Sequence, residues 1–228
     1  MLRVADQVDE SAIAGEMLSN LISDGKLAVN DEILLDAWTS AAASNPISTV
    51  VALINSAKSP ISNNLVSRVE VLAEHIARSN PRAESIEALL EIDPASRLTV
   101  ALWEGMAKGW PRDLTVALSM PAQERLRDRF LAESVSIDCK AAILAIADRW
   151  SVQDLDQTVA SIQEDLFTVA LDGSQDESRR LNAWDQAIRL APSSSRILNA
   201  SEEFFNAQLP PELGNKALET LQLARVDG

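Results

Sequence analysis

Apolar residues recur with the period of an α-helix along nearly the whole chain. Residues 64–78 place four of them on one helical face: Leu65, Val69, Leu72 and Ile76. Residues 137–149 place Ile137, Ala141, Leu144 and Ala147 at a similar helical spacing, and no alternating apolar–polar run bounded by hairpin turns is present. The sequence therefore predicts an all-α fold.

Proline, glycine and capping residues divide this pattern into short segments. Four residues stand before a proline or the start of a periodic run and are predicted N-caps: Asn30, Asn80, Asp93 and Ser151. Gly25 and Gly173 are predicted to end helices. We expect about twelve helices, over residues 9–23, 31–43, 47–57, 63–78, 82–92, 95–108, 122–133, 137–149, 152–171, 176–190, 194–207 and 212–224.

Several of these helices share a basic residue followed by apolar or small residues. The pattern starts at Arg68, Arg97, Lys140, Arg180 and Lys216, with spacings of 29, 43, 40 and 36 residues. This range surrounds the length of a two-helix repeat, so we predict a HEAT-like α-solenoid of antiparallel helix pairs. No linker or low-complexity stretch interrupts the chain, which predicts a single domain over residues 1–228.

The charge excludes several kinds of partner and site. The net charge is -14, and residues 1–114 and 115–228 each carry -7, so there is neither a basic arm nor an acidic tail. Phosphate recognition needs clustered Lys and Arg, and a membrane span needs roughly 20 apolar residues. We therefore expect no nucleic-acid partner and no direct membrane insertion. One Cys and one His argue against a metal centre or a disulfide framework, and no cofactor is expected.

The single His and the single Cys are the first candidates for chemistry. His75 is predicted at the edge of an apolar helix face, without the partners that catalysis needs. Cys139 is near a helix N-terminus and next to Lys140, a setting that permits a reactive thiolate. Burial is the commoner state of a free Cys, so we expect Cys139 to pack in the core.

The five tryptophans divide into two groups. Trp38, Trp103 and Trp184 fall within amphipathic helices and are expected to fill seams between them. Trp110 and Trp150 are at predicted helix ends, which makes them candidate exposed anchors at a partner interface. We nevertheless favour core or edge packing for both, as for the other three.

Two groups of charged residues have structural interpretations. The basic run Arg125, Arg127 and Arg129 is interleaved with acidic residues, which favours a solvated helix face with local ion pairs over a phosphate site. The carboxylate pairs at 176–177 and 202–203 are predicted at helix starts, where they would complement the helix dipole.

Residues 31–41, 98–109 and 137–147 resemble the HEAT-like region of large planctomycete membrane-bound dehydrogenase or haem-binding proteins. That family typically carries a propeller, helical repeats and a cytochrome c-type domain with a Cys-x-x-Cys-His motif. Here Cys139 is followed by Lys140, Ala141 and Ala142, so the haem motif is absent. The resemblance implies a connecting scaffold of a larger extracytoplasmic protein, with no functional residue carried over.

The sequence favours a non-catalytic scaffold or protein-interaction module, which binds a protein partner or flanking domains of the same polypeptide. We assign no catalytic, cofactor or metal residue. One alternative is a small-molecule-binding or enzymatic helical protein with Glu104, His75 or Trp103 lining a pocket in a concave groove. A third hypothesis is an acidic surface that binds a basic protein.

Overall fold

A computed structural model describes residues 13–22, 31–57, 60–132, 134–152, 155–206 and 211–225. The all-α prediction is confirmed, because these residues contain helices and connecting turns but no strand. Helix α1 is described over residues 13–22. The others are α2 (Glu32–Ala42), α3 (Pro46–Ser56), α4 (Asn63–Arg78), α5 (Ala83–Leu89), α6 (Arg97–Gly109), α7 (Met120–Leu131), α8 (Ile137–Ala147), α9 (Leu155–Leu171), α10 (Glu177–Leu190), α11 (Arg196–Asn206) and α12 (Pro211–Leu221).

Both ends of α2–α12 lie within three residues of the predicted bounds. None of these described helices combines the length and the apolar character needed to cross a bilayer.

Two of the four predicted N-caps, Asn80 and Asp93, do not cap a helix in the structure. Helix α5 begins after Arg82, and α6 begins after Ser96, whose hydroxyl accepts a hydrogen bond from Leu98 N–H. The predictions for Asn80 and Asp93 are therefore wrong. Asn80 has a φ of 56°, a left-handed conformation at the end of α4. Asp93 instead accepts a hydrogen bond from Ala95 N–H in a turn.

The remaining predicted helix boundaries have mixed outcomes. Ser151 has a φ of 53° and ends a short 3-10 helix over Asp148–Trp150, so it does not cap α9. Asp31 caps α2, since its carboxylate accepts a hydrogen bond from Leu34 N–H. Asn30 and Gly25 lie outside the described residues. Gly173 follows the end of α9, as predicted.

The chain divides into two compact units. Unit 1 comprises residues 1–129 and 133–152, and unit 2 comprises residues 130–132 and 153–228. In unit 1, α2 contacts α4, α4 contacts α6, α6 contacts α8, and α3 contacts α5. In unit 2, α9 contacts α11 and α10 contacts α12. Packing against the next-but-one helix is the arrangement of stacked helix pairs, consistent with an α-solenoid-like fold. The single domain over 1–228 stays a prediction.

Long-range side-chain hydrogen bonds show the length of the structural repeat. Arg97 donates to Asn63 Oδ1, 34 residues away, and Trp184 donates to the Ala217 carbonyl, 33 residues away. Arg149 reaches the Pro111 carbonyl across 38 residues. Such contacts join the same position in successive helix pairs, so one pair occupies about 35 residues, a typical length for a helical repeat.

Helices α4 and α6 approach closely because two glycines face α4. A Cβ on Gly105 would overlap the Glu70 carbonyl oxygen and lie 2.8 Å from Ala73 Cβ. A Cβ on Gly109 would lie 2.5 Å from the Glu74 carbonyl oxygen. Both obstacles include backbone, which cannot rotate away as a flexible side chain can. The pair Gly105 and Gly109 therefore sets the distance between these two helices.

We expect Gly105→Ala to destabilise the protein by about 1–3 kcal/mol, because the added methyl group forces α4 and α6 apart. The matched control is Gly214→Ala in α12, where an added Cβ meets no atom within 4 Å. There the substitution should stabilise by about 0.5–1 kcal/mol through helix propensity. Urea unfolding of the three proteins measures both effects. Equal stabilities for the two variants would contradict the close approach at Gly105.

Candidate functional site: an acidic groove between α10 and α12

Trp110 and Trp150 are core residues. Trp150 is fully buried and Trp110 is 6% exposed. Trp150 makes edge-to-face contacts with Trp103 and Trp110 at centroid distances of 5.7 Å and 5.8 Å. The exposed-anchor hypothesis required accessible rings, so it is wrong, and the favoured packing interpretation is confirmed. Trp38, Trp103 and Trp184 are also buried, as predicted.

The segment that follows α6 explains why these two rings are covered. Val116 N–H donates to the Arg149 carbonyl at 2.8 Å, and the Arg149 guanidinium donates to the Pro111 carbonyl at 2.6 Å. Trp110 Nε1–H donates to the Leu114 carbonyl at 3.0 Å. The segment is thereby tied to the end of α8 and the 3-10 helix. Trp110 and Trp150 are therefore buried although both are at helix ends. The sequence pattern did not predict this, because the covering segment and Arg149 are more than 30 residues apart in the chain.

Cys139 packs in the core, as predicted. Its side chain is fully buried in α8, and desolvation raises the pKa of the thiol to about 11, although nearby Arg129 opposes the shift. A nucleophilic or metal-binding cysteine must be a thiolate near neutral pH. Burial therefore keeps Cys139 protonated and out of contact with reagents.

The three residues of the pocket alternative do not share one environment. Trp103 is fully buried, whereas His75 and Glu104 are exposed. Partial desolvation raises the pKa of Glu104, and the carboxylates of Glu70 and Asp138 add to the increase. The structure does not assemble these three side chains into a common site.

The basic run in α7 ties that helix to the end of α5. Arg129 donates to the carbonyl oxygens of Leu90 and Ile92, the latter at 2.6 Å. Arg125 forms an ion pair with Glu91 at 2.8 Å. The prediction of a solvated face with local ion pairs is wrong, because Arg125 and Arg129 are partly buried and contact the turn that follows α5.

An open groove of about 770 Å³ lies between α10 and α12 in unit 2. We call it the acidic groove, because its lining combines four carboxylates with a single cation. Its walls are formed by Asp176, Glu177, Ser178, Leu181, Asn182, Asp185, Lys216, Glu219 and Thr220. Leu181 lies one turn from Glu177 and one turn from Asp185, so α10 presents one continuous face to the groove.

The core of unit 2 holds the two walls in place. Trp184 is fully buried and donates from Nε1 to the Ala217 carbonyl of α12 at 3.2 Å. Its ring stacks on Phe204 of α11 at a centroid distance of 4.5 Å. On the rim, Thr220 Oγ1 donates to Asp185 Oδ1 at 3.4 Å. These contacts fix the spacing between α10 and α12.

The carboxylates of the groove differ in their hydrogen bonding. Asp176 caps α10, and hydrogen bonds from the Ser178 hydroxyl and Arg179 N–H lower the pKa of its carboxyl. Asp185 pairs with Arg189 at 2.7 Å. Glu177 and Glu219 are exposed, with Lys216 as the cation of the lining. The groove thus presents negative charge to solvent.

Of the two carboxylate pairs predicted at helix starts, one lies at a helix start and the other does not. The pair at 176–177 does start a helix, as predicted. The prediction for 202–203 is wrong, because both residues are in the middle of α11, which already begins at Arg196. Among the described residues, no cluster of three or more His, Cys, Asp or Glu side chains is arranged to hold a metal ion.

Comparison with known protein families, curated proteins and solved structures found no match for this chain. The resemblance to the planctomycete family therefore stays a prediction.

The acidic groove was not predicted from the sequence. One wall of the groove could have been recognised in the sequence, because Glu177, Leu181 and Asp185 follow one another at a spacing of four residues and so share a face of α10. The other wall comes from α12, more than 30 residues later. Only the pairing of α10 with α12 brings Lys216 and Glu219 to the same groove.

The burial of Cys139 gives a direct chemical test. We expect a thiol reagent to leave the native protein unmodified at pH 8, because the thiol is inaccessible and protonated, and to modify one thiol per chain in denaturing urea. Absorbance of the released chromophore measures both. Stoichiometric labelling of the native protein within minutes would contradict the buried position.

Proposed function

We propose that this chain is a non-catalytic protein-interaction module, and that the acidic groove receives a basic segment of its partner. The observation that carries this proposal is the lining of the groove: four carboxylates and one ammonium group around about 770 Å³ of open space. A basic polypeptide complements that charge and can place aliphatic stems of Lys or Arg against Leu181.

The net charge of -14 supports the same partner. A strongly acidic protein attracts basic partners over distances of about 10 Å at 0.1 M salt, and this steering raises the rate of association. Attraction of this kind gives selectivity for charge and speed of encounter more than raw affinity. The groove supplies the place where such an encounter becomes a specific complex.

A small-molecule site is the second candidate function. The groove volume falls within the usual range of ligand pockets, roughly 300–1,000 Å³. Such pockets are mostly apolar and enclose their ligand, whereas this groove is open and Leu181 is the one large apolar residue of its lining. The wall chemistry therefore favours an extended basic segment over a compact apolar ligand.

A role in spacing the redox domains of a larger protein rests on the family resemblance alone. The acidic groove is compatible with that role, since a flanking domain of the same polypeptide would serve as the basic partner. The proposal does not depend on it.

Binding of a labelled peptide with alternating lysines tests the proposal. We expect fluorescence anisotropy to show binding that weakens as salt is raised, and the all-glutamine counterpart should not bind. Replacing Glu177 and Glu219 by Lys should weaken binding by roughly tenfold or more, because two attractive charges become repulsive.

The control variant carries the same change in net charge at positions outside the groove lining. Glu84→Lys in α5 with Glu202→Lys in α11 alters two exposed carboxylates outside the groove. This variant should bind almost as the wild type does. Equal weakening in both variants would show that net charge alone attracts the peptide, and would overturn the assignment to the groove.

A further inference from the structure

Carboxylates recur at an interval of 34 residues on four helices of unit 1. They are Asp36 in α2, Glu70 in α4, Glu104 in α6 and Asp138 in α8. The interval equals the separation of the hydrogen-bonded residues that join α4 to α6. Helices α2, α4, α6 and α8 contact one another in this order, so each successive helix carries one of these carboxylates. We call the four residues the carboxylate row.

A cation from the following helix pairs with each of the first two carboxylates of the row. Arg68 of α4 places Nη1 2.8 Å from Asp36 Oδ1 of α2. Lys108 of α6 places Nζ 3.6 Å from Glu70 Oε1 of α4. These two ion pairs join α2 to α4 and α4 to α6, and each compensates a carboxylate at the junction between two helices.

The junction between α6 and α8 lacks a cation of this kind. Among the described residues, Glu104 forms no ion pair, and the carboxylate of α8 that acts on it is Asp138. The one basic residue of α8, Lys140, is 6% exposed and lies about 200° around the helix from Asp138. Lys108, one turn after Glu104 on α6, contacts the two carboxylates of α4 instead. The third carboxylate of the row is therefore left uncompensated.

The close approach of α4 and α6 adds a second like charge beside Glu104. The next residue, Gly105, meets the carbonyl oxygen of Glu70, so the backbone that carries Glu104 is held against α4 at this point. Partial desolvation raises the pKa of Glu104, and the carboxylates of Glu70 and Asp138 raise it further. Like charges on both neighbouring helices thus disfavour the ionised form.

The remaining titratable groups on the helices beside Glu104 do not offset this charge. Helix α4 contributes Glu74 in addition to Glu70, and Glu74 already pairs with Arg78. Helix α8 contributes the thiol of Cys139, which is neutral at pH 7 because desolvation raises its pKa to about 11. The surroundings of Glu104 are acidic on the α4 side and on the α8 side.

We propose that the contacts of α6 with α4 and α8 form a pH-sensitive junction, which protonation of Glu104 tightens and ionisation loosens. At pH 7 the Glu104 carboxylate repels Glu70 and Asp138, and a proton removes that repulsion. Because the pKa is raised, the folded protein holds this proton more strongly than the unfolded chain does. The destabilisation is therefore present above the folded pKa and is lost as the pH falls through it. Mild acid should strengthen the stacking in unit 1.

Three other carboxylates of the protein respond to acid in the opposite direction. Hydrogen bonds lower the pKa of Glu87 and of Asp176, and they lower the pKa of Asp172 to about 2. Their contribution to stability is present at pH 7 and is lost only as the pH falls through these lowered values. The effect of Glu104 is therefore expected between about pH 7 and about pH 5, before these three carboxylates are protonated.

Thermal unfolding of the full chain across this pH range, followed by far-UV circular dichroism, tests the proposal. The melting temperature of the wild type should rise as the pH falls from about 7 to about 5. Glu104→Gln should raise the melting temperature at pH 7 by about 1–3 °C, because glutamine carries no charge, and should gain less on acidification. Glu104→Lys should raise it at pH 7 as well, since its ammonium group is attracted to Glu70 and Asp138.

The matched controls are Glu124→Gln and Glu124→Lys, which make the same changes in net charge at an exposed position of α7 in unit 1. They should leave the melting temperature and its pH dependence close to those of the wild type. An equal gain in the Glu124 variants would assign the effect to the net charge of -14 and overturn the proposal.

Hydrogen exchange at pH 7 locates the effect. Glu104→Gln should increase the protection of α4, α6 and α8 relative to the wild type and leave α10 and α12 unchanged. The proposal is overturned if Glu104→Gln is no more stable than the wild type at pH 7, or if it keeps the full pH dependence of the wild type. A gain in protection spread equally over both units would also overturn it.

Discussion

The close approach of α4 and α6 at Gly105 and Gly109 is the contact on which unit 1 depends. Without side chains at these positions, the backbones come near enough for Lys108 Nζ to lie 3.6 Å from both Glu70 and Glu74. The same spacing lets Arg97 reach Asn63. Helix pairs stacked in this way contact only their neighbours, so within unit 1 each pair depends on the next for its buried surface.

This architecture accounts for where the polar chemistry of the chain lies. Cys139 and Trp103 are enclosed between stacked helices, and burial removes the thiol from chemistry near neutral pH. The carboxylates lie on outer faces and in the acidic groove, where they remain in contact with water. An acidic surface with an open groove in unit 2 has the physical properties of a binding surface, which is the basis of the proposed function.

The sequence predicted what depends on local pattern. Helical periodicity predicted α4 at its observed bounds, because apolar residues three and four positions apart lie on the same face of a helix. Capping was harder, since Asn80 and Ser151 adopt left-handed conformations that end one element instead of starting the next. The burial of Trp110 depends on a segment returning to Arg149, which no local pattern records.

Hydrogen exchange of the wild type and of Gly105→Ala tests the stacked-pair account most directly. If neighbouring helix pairs stabilise one another, the variant should exchange faster in α4, α6 and α8, and α10 and α12 should keep their wild-type protection. Unit 2 has a core of its own around Trp184 and Phe204. Equal loss of protection in all of these helices would contradict the account, as would a loss confined to α6 alone.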